Sequence, residues 1–243
     1  MAADGQRHVL AIGGFSARRE QDQRLPALIG HALALSGAAE PRVCVMNTAT
    51  GDEPNAYVRM YAMLAQHGAR PSHLQLFSMP NVADPAGLLL SQDVIFVGGG
   101  SVANMVAVWR VHGLDEVLRQ AWEAGIVLAG VSAGAICWFH GGTTDSFGPA
   151  LRPFTSGLRF LPGSFCPHYS SEPTRRPAYE ALVGGGTLAP GIACDDGAAA
   201  HFTGTDLAGI VADRPGATGY LVRPDGAGGS HQQPLKVTTL LPG

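Results

Sequence analysis

The sequence predicts an α/β fold: a mostly parallel sheet with helices on both faces, followed by a small β-rich C-terminal portion. Three observations predict it. Short apolar runs of strand length alternate with stretches whose apolar residues recur at helical spacing. The runs end in glycine or polar residues, as strands do where a loop turns back. Hydrophobic residues make 46% of the chain and charged residues only 14%, against about 25% charged in an average soluble protein, so most of the chain is available for a core. The 243 residues fit one domain over 1–243, loop-rich at 141–172, with short β segments over 192–223 and a flexible stretch at 224–234.

The elements follow in order. His8 to Ile12 reads as a strand stopped by Gly13-Gly14. A helix over about 25–36 places Leu25, Leu28, Ile29, Leu33 and Leu35 near helical spacing. Arg42 to Asn47 is the next strand. Ala56 to His67 is a helix, with Tyr57, Met60, Tyr61 and Leu64 at i, i+3, i+4, i+7 and Gly68 as its stop. His73 to Phe77 and Asp93 to Val97 are strands. Helices follow at about 101–110 and 113–124, the second ended by Gly125. Ile126 to Val131 is a strand and Ala133 to Phe139 a helix. Beyond 141 the rhythm breaks into Gly-, Pro-, Thr- and Ser-rich sequence. A helix near 173–183 and short strands at Ala198 to Phe202, Leu207 to Ala212 and Gly219 to Val222 complete the chain.

Composition excludes several classes. The 33 glycines cluster instead of recurring every third residue, which excludes a collagen-like repeat. The chain is too apolar for a disordered protein and too glycine-rich for a coiled coil. Net charge is −3, and fifteen of the sixteen basic residues are arginines scattered along the chain. Only the pairs Arg18-Arg19 and Arg175-Arg176 break the scatter, so no nucleic-acid footprint is expected. The four cysteines, Cys44, Cys137, Cys166 and Cys194, form no CxxC, so a thiolate zinc site is not expected; no metal or cofactor is expected. No signal peptide opens the chain and no apolar run reaches membrane-spanning length. These features predict a reduced, cytoplasmic, soluble protein with no membrane partner.

Chemistry concentrates in a few stretches. Gly130-Val131-Ser132-Ala133-Gly134 is a G-x-S-x-G pattern between a buried strand run and an apolar helix face. That setting is a nucleophile elbow: a tight turn exposes the serine hydroxyl at the strand's carboxyl end, and the helix N-terminus offers N–H groups to an anion. Gly98-Gly99-Gly100-Ser101 ends another strand and opens another helix. It lacks the G-x-G-x-x-G spacing and a P-loop lysine, which disfavours a phosphate loop. It suits half of an oxyanion hole, with the N–H of Gly99 or Gly100 partnered by that of Ala133.

A serine nucleophile needs a base and an acid to orient it. Of nine histidines, His168 in Cys166-Pro167-His168-Tyr169 stands out, because proline fixes its approach. His140 is the rival, but two helical turns past Ser132 is too far along the axis. Asp196, in Asp195-Asp196-Gly197, and Asp145, after Thr143-Thr144, both remain open as the acid.

Together, IFVGGGS, GVSAGA, CPHY and DDGAA resemble, in order, the peptidase E (aspartyl dipeptidase) family, whose relatives include cyanophycinases. The resemblance covers about 8–212. It implies a class I glutamine amidotransferase-like fold, a single hydrolytic domain, and a serine peptidase cleaving small peptides after an N-terminal aspartate. It implies Ser132 as nucleophile, His168 as base and Asp196 as acid, with Asp145 in reserve. The family usually has Glu where Asp196 stands, so here the acid's loop must approach His168 more closely. It further implies an arginine beyond the histidine for the substrate carboxylate, Arg175 or its neighbour Arg176. The His168–Arg175 spacing is shorter than in the peptidase, which points to a different lid. A cyanophycinase-like amidase, a non-catalytic binding domain and a homodimer all remain open.

Overall fold

A computed structural model of the chain describes residues 6–15 and 26–240. The expected helix residue Leu25 and the Arg18-Arg19 pair lie outside the described residues. The elements are β1 (His8–Ile12), α1 (Ala27–Leu35), β2 (Arg42–Met46), α2 (Pro54–Gln66), β3 (Arg70–Leu74), α3 (Pro85–Leu90), β4 (Val94–Val97), α4 (Val102–Val111) and α5 (Leu114–Glu123). Then come β5 (Val127–Val131), α6 (Ala133–Ile136), β6 (Gly141–Thr144), β7 (Arg152–Phe154), β8 (Ser164–Cys166) and α7 (Arg175–Gly184). The chain closes with β9 (Gly191–Cys194), β10 (Ala198–Thr203), β11 (Asp206–Ala212), β12 (Gly219–Pro224), β13 (Ser230–Pro234) and β14 (Val237–Thr239).

An eight-stranded sheet carries the order β14-β11-β10-β1-β5-β4-β2-β3. The run from β1 to β3 pairs in parallel throughout, and β10 is antiparallel to both neighbours. Side chains alternate across it as strand geometry requires. Val9, Ala11, Cys44 and Met46 meet α4 and α5 through Met105, Trp109, Leu118 and Trp122. Leu10, Ile12, Val43 and Val45 meet α1 and α2 through Leu28, Ile29, Tyr57 and Leu64. Helices thus cover both faces. Each fully buried Leu or Ile in these layers stabilises the fold by about 1.5–3 kcal/mol, which is why β1 is apolar from Val9 to Ile12.

A second, six-stranded sheet has the order β13-β12-β9-β8-β6-β7 and is joined to the first through Phe154, Phe165 and Ile192 in a shared core. Helix α7 packs on it through Tyr179 and Val183. The expected C-terminal β portion is therefore divided: β9 and β12 lie in the second sheet, β10 and β11 in the first.

Several elements depart from the sequence reading. The strand expected at His73 to Phe77 lies three residues earlier, because Arg70 N–H pairs with Pro41 O as the edge strand begins. Pro71 is tolerated there because an edge strand needs only half its N–H groups. The helix expected to run to Phe139 stops at Ile136, where the carbonyls of Cys137 and Trp138 accept N–H groups from Leu158, Phe160 and Leu161. The stretch 224–234 is a hairpin: Asp225 Oδ1 accepts the N–H groups of Ala227 and Gly229, and β13 pairs antiparallel with β12. Helix α3, capped by Asp84 with Pro85 first, and the strands β6, β7, β8 and β14 are additions. No helix among the described residues is long and apolar enough to cross a membrane.

Candidate active site

Register brings the site together. β1 and β5 are parallel with Ile12 opposite Val131, so Gly13-Gly14 and Ser132 leave the sheet at one edge. β10 is antiparallel with Ala199 opposite Ile12, so the residues before it, Asp196 and Gly197, reach the same edge. His168 arrives from the second sheet just beyond β8, its N–H donating to Gly13 O at 3.2 Å.

Ser132 occupies the turn from β5 into α6 with φ 55° and ψ −115°. A non-glycine residue in that region costs on the order of 1–3 kcal/mol and persists only where its surroundings enforce it. The enforcement is tight packing: a Cβ on Gly130 would stand 2.1 Å from Gly134 O, and one on Gly134 would stand 2.4 Å from Val97 O. The Ser132 N–H is held by Ile12 O at 3.0 Å.

Ser132 Oγ lies 2.9 Å from His168 Nε2, and His168 Nδ1 lies 2.7 Å from Asp196 Oδ1. An ionised Asp196 can only accept, so Nδ1 carries the proton. In the neutral imidazole Nε2 is then the acceptor for the Ser132 hydroxyl. Both side chains are mostly shielded, at 21% and 16% exposure. Burial pushes the Asp196 carboxyl up, but hydrogen bonds from His168 and Ser171 and the charges of His168 and Arg214 outweigh it, and the net shift is downward. Arg214 Nη2 also donates to Asp196 O at 2.8 Å.

Gly14 makes this contact possible. A Cβ there would lie 2.0 Å from Asp196 Oδ1 and 2.5 Å from His168 Nδ1. Gly14 and Asp196 form an isolated parallel bridge, and Gly197 N–H donates to Gly14 O at 2.8 Å. The closer approach that aspartate demands is met by drawing its backbone onto a residue without a side chain. Sequence reasoning took Gly13-Gly14 only as a strand stop and passed over Arg214 and Ser171. A glycine pair closing the first parallel strand was the available signal for Gly14.

Among the described residues, the N–H groups of Gly99, Gly100 and Ala133 have no hydrogen-bond acceptor. Gly99 borders the serine, since a Cβ on it would stand 3.2 Å from Ser132 Cβ and 3.8 Å from Oγ. Gly100 instead borders Ala49 O, so Gly99 is the better placed of the two. Gly99 and Ala133 N–H groups flanking Ser132 can receive negative charge developing on a carbonyl oxygen.

The remaining candidates lie elsewhere. Asp145 is exposed and faces Arg175, its Oδ2 3.9 Å from Nη2, because β6 carries it away along the second sheet. Asp196, not Asp145, is the carboxylate within hydrogen-bond distance of His168. Arg175 is buried, with Nε on Glu172 Oε2 at 2.6 Å and Nη1 on Thr143 O at 2.9 Å. Arg176 lies over the rings of Tyr169 and Tyr220 and donates to Ser170 Oγ at 2.9 Å. His140 is exposed, its N–H bound to Gly163 O.

Comparison with known proteins gives a consistent result. The sequence model of peptidase family S51 matches residues 9–210. The chain is 44% identical to the uncharacterized peptidase YgaJ of Bacillus subtilis (strain 168) over 89% of this chain and 92% of that protein. It is 30% identical to peptidase E of Shewanella denitrificans over 46% of this chain and 48% of that protein. The crystal structure of a peptidase from an acI-B1 Actinobacterium shares the fold, with TM-score 0.67 at 17% identity, over 94% of this chain and 95% of that one.

Proposed function

The chain belongs to peptidase family S51 and is a serine-type peptidase, and from that premise we propose that it hydrolyses small peptides through an acyl-enzyme on Ser132. The observation that carries this reading is the unbroken chain of hydrogen bonds, 2.9 Å from Ser132 Oγ to His168 Nε2 and 2.7 Å from His168 Nδ1 to Asp196 Oδ1.

The chemistry follows from the geometry. His168 Nε2 takes the hydroxyl proton as Ser132 Oγ bonds to the scissile carbonyl carbon. The oxygen becomes an oxyanion beside the N–H groups of Gly99 and Ala133. His168 then returns the proton to the departing amine as the C–N bond breaks, leaving an ester on Ser132. A water, deprotonated by His168, attacks that ester; the bond from the acyl carbon to Ser132 Oγ breaks, and His168 returns the proton to Oγ as the acid leaves. Asp196 stays ionised throughout and holds the imidazole in one tautomer. The four cysteines, buried and free of disulfides, suit a reducing, cytoplasmic setting.

An N-terminal aspartate is the substrate that the family resemblance implies, and its carboxylate needs an available cation. Arg176 is the better candidate of the adjacent pair. Its guanidinium is partly exposed, lies over Tyr169 next to His168, and has no carboxylate against it among the described residues. Arg175 is enclosed.

Ser132→Ala is expected to abolish hydrolysis while leaving the circular-dichroism spectrum unchanged. Full turnover by that variant would remove Ser132 from the mechanism. For the substrate, kcat/KM should be higher for Asp-X than for Ala-X dipeptides, and Arg176→Gln should close the gap. Equal rates on both substrates in the parent enzyme would remove the aspartate preference and leave the serine mechanism standing.

A further inference from the structure

We propose that Arg175 is a positioning residue for His168, and not a receptor for a substrate carboxylate. The inference rests on the reading of Ser132 and His168 as the catalytic pair.

Arg175 opens α7, and its side chain is only 4% exposed. All three guanidinium nitrogens have partners. Nε binds Glu172 Oε2 at 2.6 Å, Nη1 binds Thr143 O at 2.9 Å, and Nη2 faces Asp145 Oδ2 at 3.9 Å. Two carboxylates already oppose one positive charge. A substrate carboxylate here would be a third anion around one cation whose own side chain is almost wholly enclosed.

The same contacts run to His168. Its carbonyl accepts the Glu172 N–H at 3.1 Å, and Glu172 O accepts the Arg175 N–H at 3.0 Å. The His168 turn is thus closed on itself, and the Arg175 guanidinium clamps it from two sides. One side is Glu172, inside the turn. The other is Thr143 O on β6, in the second sheet. His168 itself has φ 53°, a conformation that its surroundings must impose. On the other side of the histidine, its N–H is tied to Gly13 O and the Tyr169 N–H to Cys194 O. Those two bonds fix where the turn begins, and Arg175 fixes where it ends. Removing the guanidinium leaves Thr143 O without this donor and Glu172 and Asp145 without their shared cation. The turn slackens, and the imidazole loses alignment with Ser132 Oγ.

A positioning role and a substrate-binding role separate cleanly in kinetics. The test measures kcat and KM of the full chain on Asp-X and Ala-X dipeptides for the parent, Arg175→Gln and Arg175→Lys, with the rate of Ser132 labelling by a fluorophosphonate alongside. A displaced base costs on the order of 10- to 100-fold. Arg175→Gln should therefore lower kcat by that factor on both substrates, leave both KM values within about threefold, and slow labelling in step. Arg175→Lys should recover part of the loss, because the cation remains while the fork is gone. A KM increase confined to Asp-X, or an unchanged kcat, overturns the proposal. If Arg175→Gln does not fold, Glu172→Ala removes the same tie from its other end. It should lower kcat equally on both substrates, and an unaltered kcat there overturns the proposal as well. Ser132→Ala separates the two readings. If that variant keeps turnover, the serine reading fails. If it is inactive while Arg175→Gln is unimpaired, only the role given to Arg175 fails.

Discussion

The two sheets contribute to the site in different ways. The eight-stranded sheet presents Ser132 at the end of β5 and the flanking N–H groups of Gly99 and Ala133, all on short turns from parallel strands. The six-stranded sheet presents His168 on a turn after β8, clamped by Arg175. Asp196 stands where the chain crosses from β9 in the second sheet to β10 in the first. In the proposed mechanism the nucleophile is thus built by one layer, the base by the other, and the acid by the link between them. The lesson is that alignment depends on how the layers are fastened as much as on either layer's own stability.

That comparison can be broken at its link. Asp196→Asn should lower kcat by about 10⁴-fold, because an amide no longer fixes the Nδ1–H tautomer. Its effect on stability should depend on pH. Burial raises the Asp196 carboxyl, but the bonds from His168 and Ser171 prevail and the native value lies below the ordinary one. The stabilisation from its ionised form is therefore complete above the unfolded value of about 3.9, and is lost as pH falls through the lower native value. The melting-temperature gap between parent and variant should be widest near neutral pH and should close in acid. A gap that widens in acid contradicts the sign.

Gly14→Ala tests the fastening without replacing a reacting group. Its Cβ would stand 2.0 Å from Asp196 Oδ1, so the acid and the imidazole must move, and a displacement near 1 Å costs about 100-fold in kcat. Near-parental kcat in a folded variant would show that the relay tolerates a looser link.

The smallest effect is expected at the opposite edge of the large sheet. Arg42, at the start of β2, pairs with Asp93 through two bonds of 3.0 and 2.8 Å, and its side chain is 52% exposed. This pair pushes the Asp93 carboxyl down to about 2, chiefly through the Arg42 hydrogen bond. Because Arg42 is exposed, Arg42→Ala should cost only about 1 kcal/mol in denaturant unfolding. Its kcat should remain within about twofold of the parent. A large kcat loss there would mean that the two edges of the sheet are coupled.

The sequence reveals the two layers unequally, for a physical reason. Strands of the parallel sheet are buried on both faces, so β1, β4 and β5 appear as apolar runs, the first two closed by glycine and β5 by Ser132 itself. Ser132, Gly99 and Ala133 could be placed because they follow such runs directly. Strands β6, β7 and β13, with the sequences GGTT, RPF and SHQQP, carry little apolar pattern. They are strands because a neighbour pairs with them, which is a tertiary fact. His168 was found by its local Pro-His-Tyr setting despite that gap. The choice between Asp196 and Asp145 could not be made from spacing, because it depends on which sheet each residue leaves. The pair Arg175-Arg176 shows the same limit: adjacent in sequence, one is enclosed by carboxylates and the other lies over two tyrosines.

Fluorophosphonate labelling of the full chain, mapped by peptide mass spectrometry, tests the central claim most directly. One adduct is expected, on Ser132, formed at a rate that falls by orders of magnitude in His168→Ala. An adduct on another residue, or labelling of Ser132 at the parental rate in His168→Ala, would contradict it.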